Sequence, residues 1–458
     1  MKLWRHQREL INFEGHNGTK FLWAGMSTGK TIVAIEMALC AGVTLIITPL
    51  SATGVYPEDI NTHYMYHPIN LIMLNKGSLK SRVSKLEQGL VLSSPTNHTL
   101  IVINYDMARK INWHRYNIDL AIADECHLLG KYNGKTSINL AKTCSLIPRK
   151  VAMTGTPVSD NYVKLYGIFR WLEPITYNNK RKYPRSRLFG EYDTFLDSYF
   201  KTYELTRGVR IINGYKNIDK LQQVIKRYTK VVRTEDVLDL PPIVSRTYRT
   251  ELTKDAKKYY RDMVKSGIVE YDEDIILTAN GLVSSLRAHQ ICTSGTLELS
   301  DGTYTRLSGL DNRINTFKEI VGQLYAMPFV VFTTFKNDVT LLGETLDGLG
   351  VTWTTLTGDD DNHEAWKDGE YQCLIVNMSA GATGTRLHRA SHAIYWSMSF
   401  KGVDFQQSVY RLRRMGQTAN TVNLHYIVSK DTIDEKIVTV LARKERDVIK
   451  LESGLMDS

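Results

Sequence analysis

Phe21-Leu22-Trp23-Ala24-Gly25-Met26-Ser27-Thr28-Gly29-Lys30-Thr31 is an apolar run that breaks into small residues and then opens a helical pattern, Ile32 to Cys40. Strand, small-residue turn and helix in that order are the context a phosphate-binding loop requires. Small side chains at Gly25, Ser27, Thr28 and Gly29 let backbone N–H groups turn inward around phosphates, and the helix N-terminus adds positive potential there. Lys30 then reaches the β and γ phosphates, and the Thr31 hydroxyl ligates magnesium. Ala24 stands where the pattern usually begins with glycine, and alanine still permits a tight turn.

A second stretch supports the first. Leu120-Ala121-Ile122-Ala123 is an apolar strand that ends in Asp124-Glu125-Cys126-His127, at a separation that fits a neighbouring strand of the same sheet. Asp124 is the expected magnesium carboxylate, and Glu125 the group that orients or deprotonates the attacking water. Alone, an acidic pair after a strand reads as a solvated loop. Both stretches in this order point to ATP and Mg2+ as cofactors.

The rest of the chain is organised around these two. At 458 residues it is too long for one ordinary core. Buried parallel strands are expected at Phe21 to Ala24, Thr44 to Thr48, Leu100 to Asn104, Leu120 to Ala123 and Lys150 to Met153. Helices are expected at Tyr192 to Tyr203, Asn217 to Tyr228, Lys254 to Val264 and Asn280 to Cys292, and α/β alternation returns with strands at Phe329 to Thr333, Gln372 to Asn377, His392 to Trp396 and Thr421 to Val428. A last helix is expected at Thr432 to Leu451. The expected fold is therefore α/β with parallel sheets: an ATP-binding lobe over 1–172, a mostly helical insertion and connector over 173–305, and a second lobe over 306–458.

Bulk properties bound the partners. With 43% apolar and 23% charged residues and a net charge of +10, the chain reads as a globular protein with a polyanionic partner. No stretch has the roughly 18 to 20 apolar residues of a membrane span. The start, Met1-Lys2-Leu3-Trp4-Arg5, lacks an apolar segment behind its basic residues, so no secretory signal and a cytoplasmic location are expected (a host cytoplasm if the chain is phage-encoded). Its five scattered cysteines show neither zinc nor disulfide spacing.

Several motifs carry a family resemblance. Asp124-Glu125-Cys126-His127 resembles the acidic box of superfamily two helicases, and Thr154-Gly155-Thr156-Pro157 resembles their motif III. Gln407-Ser408-Val409-Tyr410-Arg411-Leu412-Arg413-Arg414-Met415-Gly416-Gln417 resembles motif VI of the Swi/Snf-related subgroup. The resemblance covers almost the whole chain and implies two RecA-like lobes. It implies adenine reading by Gln7; coupling of the ATP and nucleic-acid sites by His127, Thr154, Thr156 and Gln407; nucleotide contact by Gly384; and arginine fingers at Arg411 and Arg414. It also implies nucleic-acid contact by Pro49, Ser51, Tyr105, Thr333, Lys336, Ser379, Gly381 and Thr383, in loops that resemble motifs Ia, Ib, IV and V. Tyr410, Arg413, Ala382, Arg386 and Phe400 depart from the subgroup's pattern and put coupling efficiency and usual partners in doubt.

The function these features imply is an ATP-dependent DNA helicase or translocase on duplex or branched DNA, acting in fork remodelling or branch migration with replication or recombination proteins as partners. The chain ends soon after motif VI, so no chromatin-reading appendage is expected, and the stand-alone phage or bacterial members of the group are the nearest type. The competing readings are an RNA-dependent ATPase or helicase, a motor subunit of a restriction or repair complex, and a DNA-binding scaffold that uses ATP only as a switch. The basic, tyrosine-bearing stretch Tyr177 to Arg187, with Lys180, Arg181, Lys182, Arg185 and Arg187, is a candidate for lying at a strand junction.

Overall fold

The structure, a computed structural model, describes residues 2–94, 96–158, 161–176, 184–206, 209–271, 274–277, 281–299, 303–307, 309–358, 360–378 and 385–456. The chain divides into two units, Met1–Leu238 with Arg446–Ser458, and Asp239–Glu445. The stretch 173–305 is thus divided between them at Leu238.

In the first unit seven strands form one sheet: β1 (Thr19–Ala24), β2 (Val43–Thr48), β3 (Ile69–Leu74), β4 (His98–Asn104), β5 (Leu120–Asp124), β6 (Arg149–Thr154) and β7 (Thr229–Val232). Their order is β7-β1-β6-β5-β2-β4-β3, and every pairing is parallel. The central strands are apolar on both faces because helices cover both. Phe21, Trp23, Leu45, Ile47, Ile101 and Ile103 face one core, and Leu22, Ala24, Ile46, Leu100 and Val102 the other. Val448, Leu451 and Leu455, near the end of the C-terminal helix Ile433–Met456, complete the first of these cores.

The acidic strand β5 shares the sheet with β1 but is not its neighbour, because β6 lies between them. Parallel register aligns the strand ends. Trp23 stands opposite Thr154, Met153 opposite Asp124, and Ala123 opposite Ile47. The C-terminal edge of β1-β6-β5-β2 therefore carries the phosphate loop, Thr154, Asp124 and Thr48 in one row, although the neighbouring strands β1 and β6 lie far apart in sequence. Open parallel sheets bind their ligands at this edge.

The second unit holds a six-stranded sheet: β8 (Ile243–Thr250), β9 (Phe329–Thr333), β10 (Trp353–Leu356), β11 (Cys373–Asn377), β12 (His392–Tyr395) and β13 (Val422–Ser429). The order is β8-β13-β12-β9-β11-β10, again all parallel. Alternation divides its core in the same way, with Val330, Phe332, Leu374 and Val376 on one face and Phe329, Val331, Cys373 and Ile375 on the other.

Between 173 and 305 the four expected helices are present as Tyr192–Tyr199, Ile218–Lys226, Lys254–Lys265 and Gly281–Thr293. The stretch also carries antiparallel hairpins, Phe200–Thr206 with Val209–Tyr215 and Ile268–Tyr271 with Asp274–Leu277. The helix expected to reach Tyr203 stops at Tyr199, where buried Phe200 takes extended backbone, φ −124° and ψ 144°, and opens the first strand of a hairpin.

One polar string in the second unit makes its stability depend on pH. The His425 ring lies between the Tyr248 hydroxyl at 3.2 Å and His392 Nδ1 at 3.1 Å, and Asn423 lies 3.5 Å from His392 Nε2. Burial, followed by His392 and Arg246, pushes His425 down from 6.5 to about 4. His392 is lowered as well, by burial and by Arg246. Between pH 6.5 and about 4 the unfolded chain therefore binds a proton that the folded unit refuses, and stability falls as pH falls through that window. The melting temperature is expected to drop between pH 7 and pH 5, and less steeply in His425→Gln; parallel curves for the two proteins would remove the assignment.

Candidate active site

The phosphate loop follows from two backbone positions. Ser27 and Gly29 both have positive φ, 63° and 79°, which turns successive N–H groups toward one side. A Cβ at Gly29 would meet Gln7 Nε2 at 2.3 Å, and one at Gly25 would meet Thr234 Oγ1 at 2.3 Å. The loop is thus pressed from behind by two other segments. The Thr234 hydroxyl donates to the Met26 carbonyl at 2.8 Å, the Gly25 N–H to Val232 at 2.8 Å, and the Thr28 hydroxyl to Gly25 at 2.9 Å. His6 Nε2 lies 2.9 Å from the Thr28 carbonyl. Gln7 accepts from the Trp4 N–H at 2.9 Å and reaches the Thr28 carbonyl at 3.5 Å, so the buried Gln7 braces the loop.

Lys30 opens the helix Lys30–Leu39, and its ammonium donates to the Ala24 and Gly25 carbonyls at 3.2 and 3.1 Å. These are neutral acceptors, which a phosphate oxygen outcompetes. Thr31 follows on the first turn, partly exposed.

At the end of β5 the two carboxylates have separate partners. Asp124 Oδ2 accepts from the Thr48 and Tyr56 hydroxyls, each at 3.1 Å, and Oδ1 accepts from the Glu125 N–H at 3.1 Å. Glu125 sits in the left-handed region, φ 52° and ψ 50°, an unusual conformation for a side chain of its size. That turn sends its carboxylate toward β6. There the Thr154 hydroxyl donates to Glu125 Oε2 at 2.8 Å, and His127 Nδ1 lies 3.2 Å from both groups. The Thr156 N–H closes the set by donating to Thr154 Oγ1 at 3.1 Å.

Electrostatics separate the pair. Burial pushes both carboxyls up, and the Glu125 charge raises Asp124 further. The hydrogen bond from His127, the Lys30 charge and the Thr154 hydroxyl more than offset burial at Glu125, which is held low and ionised. An ionised, oriented carboxylate is what activation of a water requires. The Asp124 carboxylate and the Thr31 hydroxyl are hard oxygen donors that fit magnesium, which keeps its remaining positions for water and phosphate.

In the second unit the helix Gly402–Leu412 carries buried Gln407 and Arg411, with Arg414 just beyond its end. Burial pushes Arg411 down to about 10, with Asp404 acting against the shift, so it stays charged at neutral pH. Its Nη2 is buried without a hydrogen-bond partner among the described residues. Arg414 is partly exposed, and burial and Arg386 lower it. The Leu387 N–H donates to the Arg411 carbonyl at 3.2 Å, which lays the segment 385–390 along this motif.

The nucleic-acid residues divide. Ser51 and Lys336 are exposed and Pro49 is partly so. Thr333 is fully buried at the end of β9, and Tyr105 is buried with its hydroxyl donating to the Asp124 carbonyl at 2.7 Å. These two side chains face inward, Tyr105 because its hydroxyl has a protein acceptor beneath the acidic pair. Ser379, Gly381, Thr383 and Gly384 lie outside the described residues, as do Tyr177, Lys180, Arg181 and Lys182. Arg185 pairs with Glu191 at 2.7 Å. The sequence reading missed Thr48, Tyr56 and Thr234. Thr48 leaves a trace, a polar residue closing an apolar strand, but nothing near Tyr56 or Thr234 in sequence announces their partners.

A positive-φ phosphate loop, an acidic strand end and a threonine bridge on one parallel sheet define a P-loop ATPase. The chain belongs to the SNF2-related domain family, whose profile matches residues 7–297. It is 23% identical to the protein p41 of Acyrthosiphon pisum secondary endosymbiont phage 1, over 91% of this chain and 90% of that one. Identity is also 23% to the TATA-binding protein-associated factor MOT1 of Saccharomyces cerevisiae (86% of this chain, 23% of that one). It is the same to the DNA annealing helicase and endonuclease ZRANB3 of Homo sapiens (97% and 40%). The chain thus spans less than half the length of these two cellular relatives. Among solved structures it is similar to the Sulfolobus solfataricus SWI2/SNF2 ATPase core in complex with dsDNA, at 17% identity and a TM-score of 0.43, over 97% of this chain and 92% of that one. Among the described residues no helix is long and apolar enough to cross a membrane, and no cluster of His, Cys, Asp or Glu forms a further metal site.

Proposed function

We propose that this SNF2-family ATPase is a DNA-dependent motor that tracks along duplex DNA and acts on branched DNA, a fork or a four-way junction. The observation that carries the ATPase step is the row formed by Lys30, Thr154 with Glu125 and His127, and Asp124 along one sheet edge. ATP and magnesium are held by Gly25 to Thr31 and Asp124. Arg411 and Arg414 of the second unit are the proposed cations for the transferred phosphoryl group. Partly exposed Pro49 and exposed Ser51 and Lys336 are proposed contacts to phosphate oxygens, which position the protein without reading sequence.

Branched substrates suit such a motor energetically. Moving a junction re-forms one base pair for each one broken, whereas opening a duplex loses about 1.4 kcal/mol of stacking per step. A relative named as a DNA annealing helicase is consistent with this class of substrate. Replication or recombination proteins are the proposed partners.

The deciding experiment measures ATP turnover with single-stranded, duplex, forked and four-way DNA and with RNA, side by side, together with ATP-dependent movement of a mobile junction. Junction processing well above that of a blunt duplex of equal length is expected. Equal rates, or greater stimulation by RNA, would overturn the branched-DNA reading. Changing Lys180, Arg181 and Lys182 to Ala tests the basic stretch separately, with reduced junction processing expected.

Binding should also weaken steeply with salt. Each neutralised phosphate contributes a slope of about −0.9 to log K against log salt. A flat dependence for a generic duplex would argue against a phosphate-tracking surface.

A further inference from the structure

The loop 49–55 begins and ends on the same carboxylate oxygen. Thr48, the last residue of β2, donates to Asp124 Oδ2 at 3.1 Å. The chain then leaves the sheet through Pro49, exposed Leu50 and exposed Ser51, and returns in the helix Val55–His63, whose Tyr56 donates to that same Oδ2, also at 3.1 Å. Both donors are fully buried. Asp124 is held from below as well, since the Tyr105 hydroxyl donates to its carbonyl at 2.7 Å. Tyr105 follows Asn104, whose side chain accepts from Arg82 Nη1 at 2.9 Å, so the backbone under the carboxylate is fixed. The direction of the Asp124 side chain is set by these two hydroxyls on Oδ2 and by the Glu125 N–H on Oδ1.

A phenylalanine would fill the Tyr56 site equally well. The buried hydroxyl has the Asp124 carboxylate as its acceptor, on the edge where the metal and phosphates belong. A phosphate backbone resting on Pro49 and Ser51 bears on the segment strung between the two donors to this carboxylate.

We propose that Tyr56, together with Thr48, is a positioning residue that couples nucleic-acid contact at Pro49 and Ser51 to the orientation of the magnesium carboxylate Asp124. The inference rests on the proposed function, because it takes that loop as a DNA contact. It predicts a coupling that is thermodynamically reciprocal: duplex DNA tightens magnesium–nucleotide binding, and magnesium–nucleotide tightens duplex binding by the same factor.

The test measures affinity of the whole chain for a blunt duplex at constant salt, with and without magnesium and a non-hydrolysable ATP analogue. The magnesium dependence of analogue binding is measured in parallel, with and without the duplex. Wild type is expected to show a coupling factor on the order of 5- to 150-fold. In Tyr56→Phe, which removes one oxygen and keeps the ring, the factor should fall to within about twofold of unity, the experimental equivalent of no coupling under the same relation. Thr48→Val should lower it as well, and Thr48→Ser, which keeps the hydroxyl, should retain it. A purely structural hydroxyl would lower the melting temperature and leave the factor unchanged. A wild-type factor in both Tyr56→Phe and Thr48→Val overturns the inference, and so does a wild-type protein without coupling. Failure of wild type to turn over ATP with any nucleic acid is a different result, and it removes the functional reading on which the inference stands.

Discussion

Lys30→Ala is expected to abolish ATP turnover while leaving duplex binding within about twofold, the range in which loss of one phosphate contact at moderate salt would fall. The ammonium lies against the loop's own Ala24 and Gly25 carbonyls, with no carboxylate bonded to it among the described residues. Its removal therefore leaves the fold's hydrogen bonding nearly intact and takes away the one side-chain charge on the loop itself. Charge stabilisation at a transferred phosphoryl group accounts for most of catalysis in this chemistry, because the protein does little covalent work. Glu125→Gln should reach a similar end by another route. It keeps the shape of the side chain and the Thr154 bond, binds nucleotide, and loses the ionised oxygen that activates water. Turnover near the wild-type rate in Lys30→Ala would break the phosphate-loop assignment, and normal turnover in Glu125→Gln would break only the role given to that carboxylate.

How much of this was legible beforehand depends on where a residue sits in its sheet. Every expected strand is present, and they include the interior strands β1, β2, β4, β5 and β6 of the first unit and β9, β11, β12 and β13 of the second. Strands buried on both faces must be apolar throughout, and such runs stand out in a sequence. The four sheet strands the reading did not anticipate, β3, β7, β8 and β10, are the four sheet edges. An edge strand needs less cover and can be polar or short. Ile243 to Arg249 in β8 is mostly exposed, Thr229–Val232 and Trp353–Leu356 have only four residues each, and Ile69–Leu74 is half-buried. With β6 between β1 and β5, Thr154 lies beside Glu125, an adjacency that residue spacing alone does not express. The same reason hid Tyr56 and Thr234: each meets the site through a contact made across the fold. Nucleic-acid contact by Tyr105 is what its resemblance to motif Ib implies, yet side-chain direction there is decided by the acceptor beneath it, the Asp124 carbonyl.

The second large effect is expected at the arginines of the second unit. Arg414→Ala should bind nucleotide normally, since the phosphate loop belongs to the other unit, and hydrolyse it at least roughly a hundred-fold more slowly, a barrier increase of about 2.7 kcal/mol. Its partial exposure means that truncation leaves little cavity, so the melting temperature should barely move. Arg411 differs in its surroundings. It is buried beside Asp404 and Tyr395 with Nη2 unpartnered among the described residues, and keeping a guanidinium dry and charged in that state is costly unless a phosphate oxygen completes it during turnover. Arg411→Ala should therefore lose turnover to a similar degree and also soften the second unit. Arg411→Lys separates the two effects, because it restores charge and much of the volume but not the planar fork. If the fork binds the phosphoryl oxygens, Arg411→Lys recovers stability and remains slow; if Arg411 only supports the helix Gly402–Leu412, it recovers both. Normal turnover in Arg414→Ala and Arg411→Ala alike would place the transition-state cations elsewhere, with Arg386 the first to examine because, after burial, it is the charge that lowers the pKa of Arg414.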